Sequence, residues 1–272
     1  MQTNNAIAQK TDDEITLSRI IQHEVETTVQ SNSVPLQYIL GADNLTPEQL
    51  EMVYMIKLRE LKMMSDVKNY IELKSLDLLS KVHMACYKAE DFLSTVINQA
   101  LNLIRMPYSN ISLRCDTKNT VILDARKTSM IIYNLISNAL IHSKASEKEI
   151  NISAKMRGND FVISVTDNGK GIPASKQKQI FKSYADISAI ESLSADLMAL
   201  RGMGLAVSRK AAHDMKGDLV YVNAKKNTTF EIIIPQQVKP ILNEPVEYIA
   251  DMEFVLFHLA TANLIYIENC RN

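Results

Sequence analysis

The sequence predicts an α+β protein: a helical hairpin followed by an α/β sandwich. Three observations carry this reading. Apolar residues recur at steps of three and four through the first part of the 272-residue chain, as on amphipathic helices. From Ile111 onward, alternating runs and helical runs mix without strict βαβ order, the pattern of a sheet with helices on one face. Glycine is scarce, and four of the seven (Gly169, Gly171, Gly202 and Gly204) lie in two short loops next to predicted elements.

Composition narrows the possibilities. The length suits two domains of about 150 residues each. A formal net charge of −1 provides no basic stripe, so nucleic acid is not an expected partner. Cys86, Cys115 and Cys270 are too scattered for a CxxC motif or a disulfide framework, and reduced thiols in a cytoplasm are the default. The five histidines show no metal-ligand spacing, so no zinc is expected. Residues 1–14 are polar, so no signal peptide is expected. The apolar stretch 248–267 contains Asp251, Glu253 and His258, a poor membrane span, and a soluble, cytoplasmic protein is expected.

The elements follow in order. From Asp13, the residues Leu17, Ile20, Ile21, Val25 and Val29 form one helical stripe, with His23 beside it. Gly41 begins a break. Thr46 then offers an N-cap, Pro47 fits the first helical position, and Glu48 and Gln49 occupy the first turn. The second helix runs to about Lys74, with Leu50, Val53, Tyr54, Leu58, Leu61, Met64, Val67 and Ile71 as its apolar face. One hairpin hides too little apolar surface alone, so two copies pairing into a four-helix bundle, a homodimer, is expected. Ala89–Ile104 reads as a helix, Ile111–Cys115 as a strand, and Arg126–Ser143 as a helix after Asp124. Ile150–Met156 and Phe161–Asp167 form a hairpin about Gly158. Pro173 opens a helix over Ser175–Tyr184, Ala185–Leu200 has no clean period and reads as a mobile lid, and Met203–Met215 is a helix ended by Gly217. Leu219–Asn223 and Thr229–Ile234 close the sheet. In the tail, Ile249, Met252, Leu256 and Leu259 have helical spacing and Leu264–Ile267 reads as a strand. Covering the second domain and offering a partner surface both remain open for it.

Chemistry concentrates around Phe161–Pro173. Strand residues Phe161, Ile163 and Val165 alternate with smaller and polar ones, and the strand ends on Asp167 followed by Gly169 and Gly171. A carboxylate beside backbone without Cβ atoms can accept a hydrogen bond from the exocyclic amine of a flat ring. The competing reading is a β-turn with a solvated Asp. Gly202-Met-Gly-Leu205 runs into a helix, whose free N–H groups form an anion site. Asn134, Asn138 and His142 stand at i, i+4 and i+8 of an Ile- and Leu-rich helix, and they demand partners if buried.

These stretches, in this order, resemble the histidine protein kinases. Asn134–His142 resembles the N box, Asp167–Gly171 the first glycine box, Ile180-Phe181 the F box, and Gly202–Leu205 the second glycine box. Asn227–Pro235 is similar to the last strand of the Bergerat-type ATP-binding fold. His23-Glu24-x-x-Thr27 resembles the phosphoacceptor box, whose common form is His-Glu-Leu-Arg-Thr. The resemblance implies a dimerisation and phosphotransfer hairpin over 1–78, an ATP-binding domain over 79–236 and an extension of unassigned role over 237–272. It implies a kinase that uses ATP and Mg²⁺ to phosphorylate His23, with Glu24 taking the proton and Thr27 orienting water in the reverse reaction. The phosphoryl group would pass to an Asp on a response regulator receiver domain, with an upstream sensor protein as a further partner.

By the same resemblance, Asn138 holds Mg²⁺, Asn134 is a further cofactor-binding residue of the N box, and Asp167 binds the adenine amine. Gly169 and Gly171 let the base approach. Gly202, Gly204 and Leu205 present backbone amides to phosphate, His142 touches phosphate or ribose, and Phe181, the F-box aromatic, is a further cofactor-binding residue. The chain departs from the family in two places. Thr28-Val29 replaces Pro-Leu, and Pro35 opens a rival register with Gln30 in the acceptor slot. Ile141 stands where a basic residue is usual, so one phosphate contact is either missing or supplied by Lys144 or Lys182. In related ATPases of the chaperone, gyrase and mismatch-repair group, a glutamate stands where this chain has Asn134; an amide cannot act as general base, so slow ATP hydrolysis is expected. The alternative to an active kinase is a nucleotide-binding pseudokinase or a phosphotransfer and dimerisation scaffold.

Overall fold

Strand alternation sets the architecture. The structure, a computed structural model, describes residues 45–74, 82–104, 109–142, 148–177, 179–181, 204–223, 227–236 and 247–248, with further short helical pieces between 23 and 39 and between 255 and 263. The elements are α1 (Pro47–Lys74), β1 (Ala85–Lys88), α2 (Ala89–Leu103), β2 (Ser109–Cys115), β3 (Thr120–Leu123), α3 (Ala125–His142), β4 (Lys148–Arg157), β5 (Asp160–Asp167), α4 (Ala174–Gln177), α5 (Gly204–Asp214), β6 (Asp218–Asn223) and β7 (Thr228–Pro235). A five-stranded sheet has the order β2-β4-β5-β7-β6, with β2 and β4 parallel and the other neighbours antiparallel.

The register explains the layer. Phe161, Ile163, Val165 and Asp167 lie opposite Ile234, Ile232, Phe230 and Thr228 on one side, and opposite Met156, Ala154, Ile152 and Ile150 on the other. Their shared parity places them on one face of the sheet, where α2, α3 and α5 pack and the main core lies. Residues of the other parity are more polar. Thr166 and Thr229 join hydroxyls at 3.0 Å there, and Arg157 pairs with Glu231 at 2.8 Å. Gly158 turns the β4–β5 hairpin at φ 61°, as two-residue hairpin loops prefer.

β1 and β3 form a separate antiparallel ribbon that the sequence reading did not anticipate. Four-residue strands carry too little alternation to be seen. The ribbon delivers Asp124, whose Oδ1 accepts the Lys127 N–H at 3.0 Å and caps α3, while Oδ2 accepts the His83 N–H at 2.7 Å. At α1, Thr46 Oγ1 accepts the Gln49 N–H and Gln49 Oε1 accepts the Thr46 N–H, a reciprocal capping box. Val53, Leu58 and Leu61 of the expected apolar face of α1 are buried, while Leu50 on that face is 45 % exposed in the single chain, as are Met52, Ile56 and Met63. The side chains of Val67 and Ile71 lie outside the described residues.

Two further expectations change. The helix expected over Ser175–Tyr184 is the single turn α4; Gln179 N–H then bonds to the Lys176 carbonyl and tightens the chain into a turn bearing Ile180 and Phe181. At the end of α5 the residue with positive φ is Lys216 (64°), not Gly217. Gly217 N–H bonds to the Ala212 carbonyl and Lys216 N–H to the His213 carbonyl, a Schellman ending with lysine in the left-handed position. Gly217 is needed for a different reason: a Cβ there would collide with the Ile233 carbonyl.

In the tail, Val255, Leu259 and Ala262 are buried in the main core, and Ala260 packs with Leu58 and Leu61 of α1. The tail residues thus cover the sheet-and-helix domain. Ile249, Met252, Leu256 and 264–267 lie outside the described residues, as does the expected lid over Ala185–Leu200.

The two glycine-type positions separate in a denaturation experiment. Gly217→Ala should cost about 2 kcal/mol or more, because backbone must move. Lys216→Gly should be neutral or stabilising by up to about 1 kcal/mol, because it relieves a left-handed lysine. Urea midpoints of the two variants against the unaltered chain check both.

Candidate functional site

The site forms where α3 passes the end of β5. A cavity of about 490 Å³ opens there, lined on the α3 side by Leu135, Asn138 and His142 and on the sheet side by Val165, Asp167, Thr228 and Phe230. Lys170, Gly171, Ile172, Pro173, Lys176 and Ile180 form one rim, and Gly204 and Leu205 at the start of α5 form the other. The walls are therefore largely apolar, with a few polar groups converging on them, the composition of a small-molecule pocket.

Asp167 is 6 % exposed. Its Oδ1 accepts the Gly169 N–H at 2.7 Å. Burial pushes its carboxyl above the usual carboxylate range, while the Gly169 N–H, the Thr228 hydroxyl and nearby His142 pull the other way without cancelling the rise. A buried carboxylate at a cavity wall excludes the reading of a turn with a solvated Asp. The two glycines have different tasks. A Cβ on Gly169 would stand 2.5 Å from Asp167 Oδ1, so this glycine lets the carboxylate fold back on its own loop. Gly171 adopts φ 72° and lines the cavity. Ile172 N–H donates to the Tyr221 hydroxyl at 3.1 Å, and Gln177 Nε2 donates to the Ile172 carbonyl at 2.8 Å, which holds the rim loop to the sheet and to α4.

The N-box row splits. Asn138 and His142 line the cavity, whereas Asn134 is buried behind it. Its Nδ2 donates to Ser208 Oγ at 3.1 Å, and its Oδ1 lies 3.1 Å from His258 Nδ1. The amide lies close to Gly204, where a Cβ would make only ordinary contact with it, 3.8 Å from Asn134 Cγ. Phe181 is also outside the lining. It packs edge-on against Phe230 at 6.2 Å, with the Arg209 guanidinium 4.9 Å from its ring centre. Gly202, Lys144 and Lys182 lie outside the described residues. His23, Glu24 and Thr27 are helical and exposed, and they are not part of the cavity lining.

Lys170, Lys176 and Thr228 line the site and were not singled out in the sequence. Lysines beside a glycine loop are too common to stand out. Thr228 is visible only through the β5–β7 register, which sets it opposite Asp167. Among the described residues no group of three or more His, Cys, Asp or Glu could hold a metal ion. No helix among the described residues is long and apolar enough to cross a membrane.

Comparison with known proteins agrees with this geometry. Residues 123–238 match the family of histidine kinase-, DNA gyrase B- and HSP90-like ATPases. The chain is 27% identical over 237 residues to the aerobic respiration control sensor protein ArcB of Escherichia coli, an alignment covering 85% of this chain and 30% of ArcB. The chain thus spans less than a third of that relative. The solved structure of Acinetobacter baumannii histidine kinase AdeS matches with a TM-score of 0.53 and 20% identity, covering 79% of this chain and 98% of that one. ShkA in complex with AMPPNP matches with a TM-score of 0.53 and 19% identity, covering 80% of this chain and 47% of that one. The two structures support the fold, and the sequence matches support the family. Residues 123–238 thus match a domain of the histidine kinase-, DNA gyrase B- and HSP90-like ATPase type, and the chain is similar over most of its length to the sensor protein ArcB.

Proposed function

We propose that the cavity binds ATP with Mg²⁺ and that the chain is an ATP-dependent protein-histidine kinase acting on its own His23. The observation that carries the reading is Asp167: a buried acceptor on the wall of an apolar slot that also holds Val165, Ile172 and Phe230. An adenine ring fits such a slot, its amine donating to the carboxylate. Gly171 leaves room for the ring. Gly204 and Leu205, at the start of α5, offer backbone amides to the phosphates, and Gly202 belongs to the same glycine box in the sequence. Lys170, Lys176 and His142 supply positive or hydrogen-bonding groups at the rim. Mg²⁺ would be held through the Asn138 amide oxygen, where it neutralises phosphate charge.

At His23 a neutral imidazole nitrogen attacks the γ-phosphorus; the N–P bond forms, the bond to the ADP oxygen breaks, and Glu24 accepts the proton that the ring releases. Exposure of His23, Glu24 and Thr27 on a helix supports this assignment, because the acceptor must reach a separate nucleotide domain. Thr27 orients water for the reverse, phosphatase direction. The phosphoryl group then passes to an Asp of a response regulator receiver domain, and an upstream sensor protein is a natural source of input. Exposed Leu50, Met52, Ile56 and Met63 on α1 favour a homodimer built on the 1–78 hairpin. The cytoplasm is the compartment for this chemistry. The ATP-binding domain spans 79–236, and 237–272 extends it.

Three measurements test the reading. Incubation with γ-labelled ATP and Mg²⁺ should give acid-labile, base-stable label that is lost in His23→Gln and Asn138→Ala. Label that survives His23→Gln moves the acceptor, and nucleotide binding without label leaves the scaffold reading. Steady-state ATP hydrolysis should stay well under ~1 s⁻¹, because Asn134 cannot serve as general base. Fast turnover independent of His23 would instead group the chain with hydrolytic ATPases.

Asp167→Asn should weaken ATP binding about tenfold or more. Because folding raises its pKa, the contribution of Asp167 to stability is complete below the unfolded value near ~3.9 and is lost as pH rises through the folded value. The Asn variant should therefore melt higher than the unaltered chain at neutral pH, with the gap closing in acid. A gap that widens in acid contradicts the burial effect.

A further inference from the structure

Behind the cavity, α3 carries a buried amide whose two ends are held by different parts of the chain. Asn134 Nδ2 donates to Ser208 on α5, and Asn134 Oδ1 faces His258 Nδ1 at 3.1 Å. Because the amide oxygen only accepts, the ring hydrogen sits on Nδ1, and the contact selects one tautomer of His258. His258 is 6 % exposed and lies nearly parallel to the Tyr133 ring at 6.3 Å. Val255, Leu259 and Ala262, around it in sequence, are buried in the main core. Asn263 Nδ2 donates to the Leu103 carbonyl at 3.0 Å, and the Tyr248 hydroxyl meets Ser129 Oγ at 2.7 Å. These residues lie beyond the matched ATPase family region, which ends at 238.

We propose that His258 is a positioning residue for the nucleotide site, acting through Asn134; this rests on reading the cavity as the site for ATP and Mg²⁺. Two adjacent contacts carry the argument. Asn138 stands one helical turn beyond Asn134 on α3 and opens into the cavity. The Asn134 amide also lies against Gly204, the first residue of α5 and part of the cavity rim. Without the His258 donor, a buried carbonyl oxygen is left without that partner, and the amide can regain one by turning toward Gly204 and the cavity. That rotation disturbs the metal-binding turn and the phosphate-facing helix start together. With the donor in place, both surfaces are held before nucleotide arrives, so less ordering is needed on binding.

The test compares 272-residue chains carrying His258→Leu, His258→Asn and His258→Gln with the unaltered chain. Calorimetric titration with Mg²⁺ and a non-hydrolysable ATP analogue gives the affinity, and thermal unfolding gives the stability. Leucine keeps apolar volume without a donor, asparagine keeps a donor near the Nδ1 position, and glutamine places its amide one bond further out. The proposal expects about tenfold weaker binding for His258→Leu, a tenfold change being about 1.4 kcal/mol, with His258→Asn within about threefold of the unaltered chain. A packing role reverses this order, with Leu binding as the unaltered chain does and Asn losing stability. Equal affinity for Leu and the unaltered chain, or equal losses for Leu and Asn, overturns the proposal. If the Leu variant does not fold, Asn binding more tightly than Gln supports it and equal binding overturns it. An unaltered chain that binds no nucleotide overturns the site reading itself, which sets that outcome apart from a failure confined to His258.

Discussion

Helix α3 is enclosed on nearly every side: thirteen of its eighteen residues are buried. A helix in that position must satisfy two constraints at once. Its apolar residues, such as Ile131, Ile132, Leu135 and Ile136, have to fill the space between the sheet and the elements outside it. Its polar residues must find partners, because a buried unpaired amide is costly. The chain meets the second constraint in two ways. Asn134 is held by Ser208 and His258, and Asn138, one turn on, is left to the cavity. The division between a structural amide and a cavity-facing one follows from which side of α3 the neighbours cover.

The sheet contributes the other wall by parity. Asp167 shares a face with Phe161, Ile163 and Val165, so the carboxylate that ends β5 turns toward the helices rather than into water. Ending the strand one residue earlier or later would place the acidic side chain on the polar face with Thr166 and Thr229. The raised pKa of Asp167 reflects the same fact. Gly169 completes the arrangement, since only a residue without Cβ leaves Asp167 free to accept its N–H.

The C-terminal residues join parts that the family pattern treats separately. Ala260 packs against Leu58 and Leu61 of α1, while His258, two residues before it, reaches Asn134. One short helical piece therefore touches both the bundle helix and the back of the N-box helix. Arg209 does comparable work on the other side of the cavity, stacked over Phe181 and paired with Asp218 at 2.9 Å.

Local chemistry was legible in the sequence. The capping residues Thr46 and Pro47, the alternation in Phe161–Asp167, the i, i+4, i+8 row on α3 and the paired glycines each depend on neighbours within a turn or a strand, and the structure forms those elements near the expected bounds. What the sequence could not supply were facts set by distant residues. The β1–β3 ribbon exists because two unremarkable tetrapeptides meet. Thr228 stands by Asp167 through cross-strand register, and Leu50 is exposed because the covered side of α1 is chosen by its partners. Periodicity reports which face of an element is apolar, but not what will cover it. That choice, including the placing of His258 against Asn134, is made only when elements far apart in the chain close on a common core.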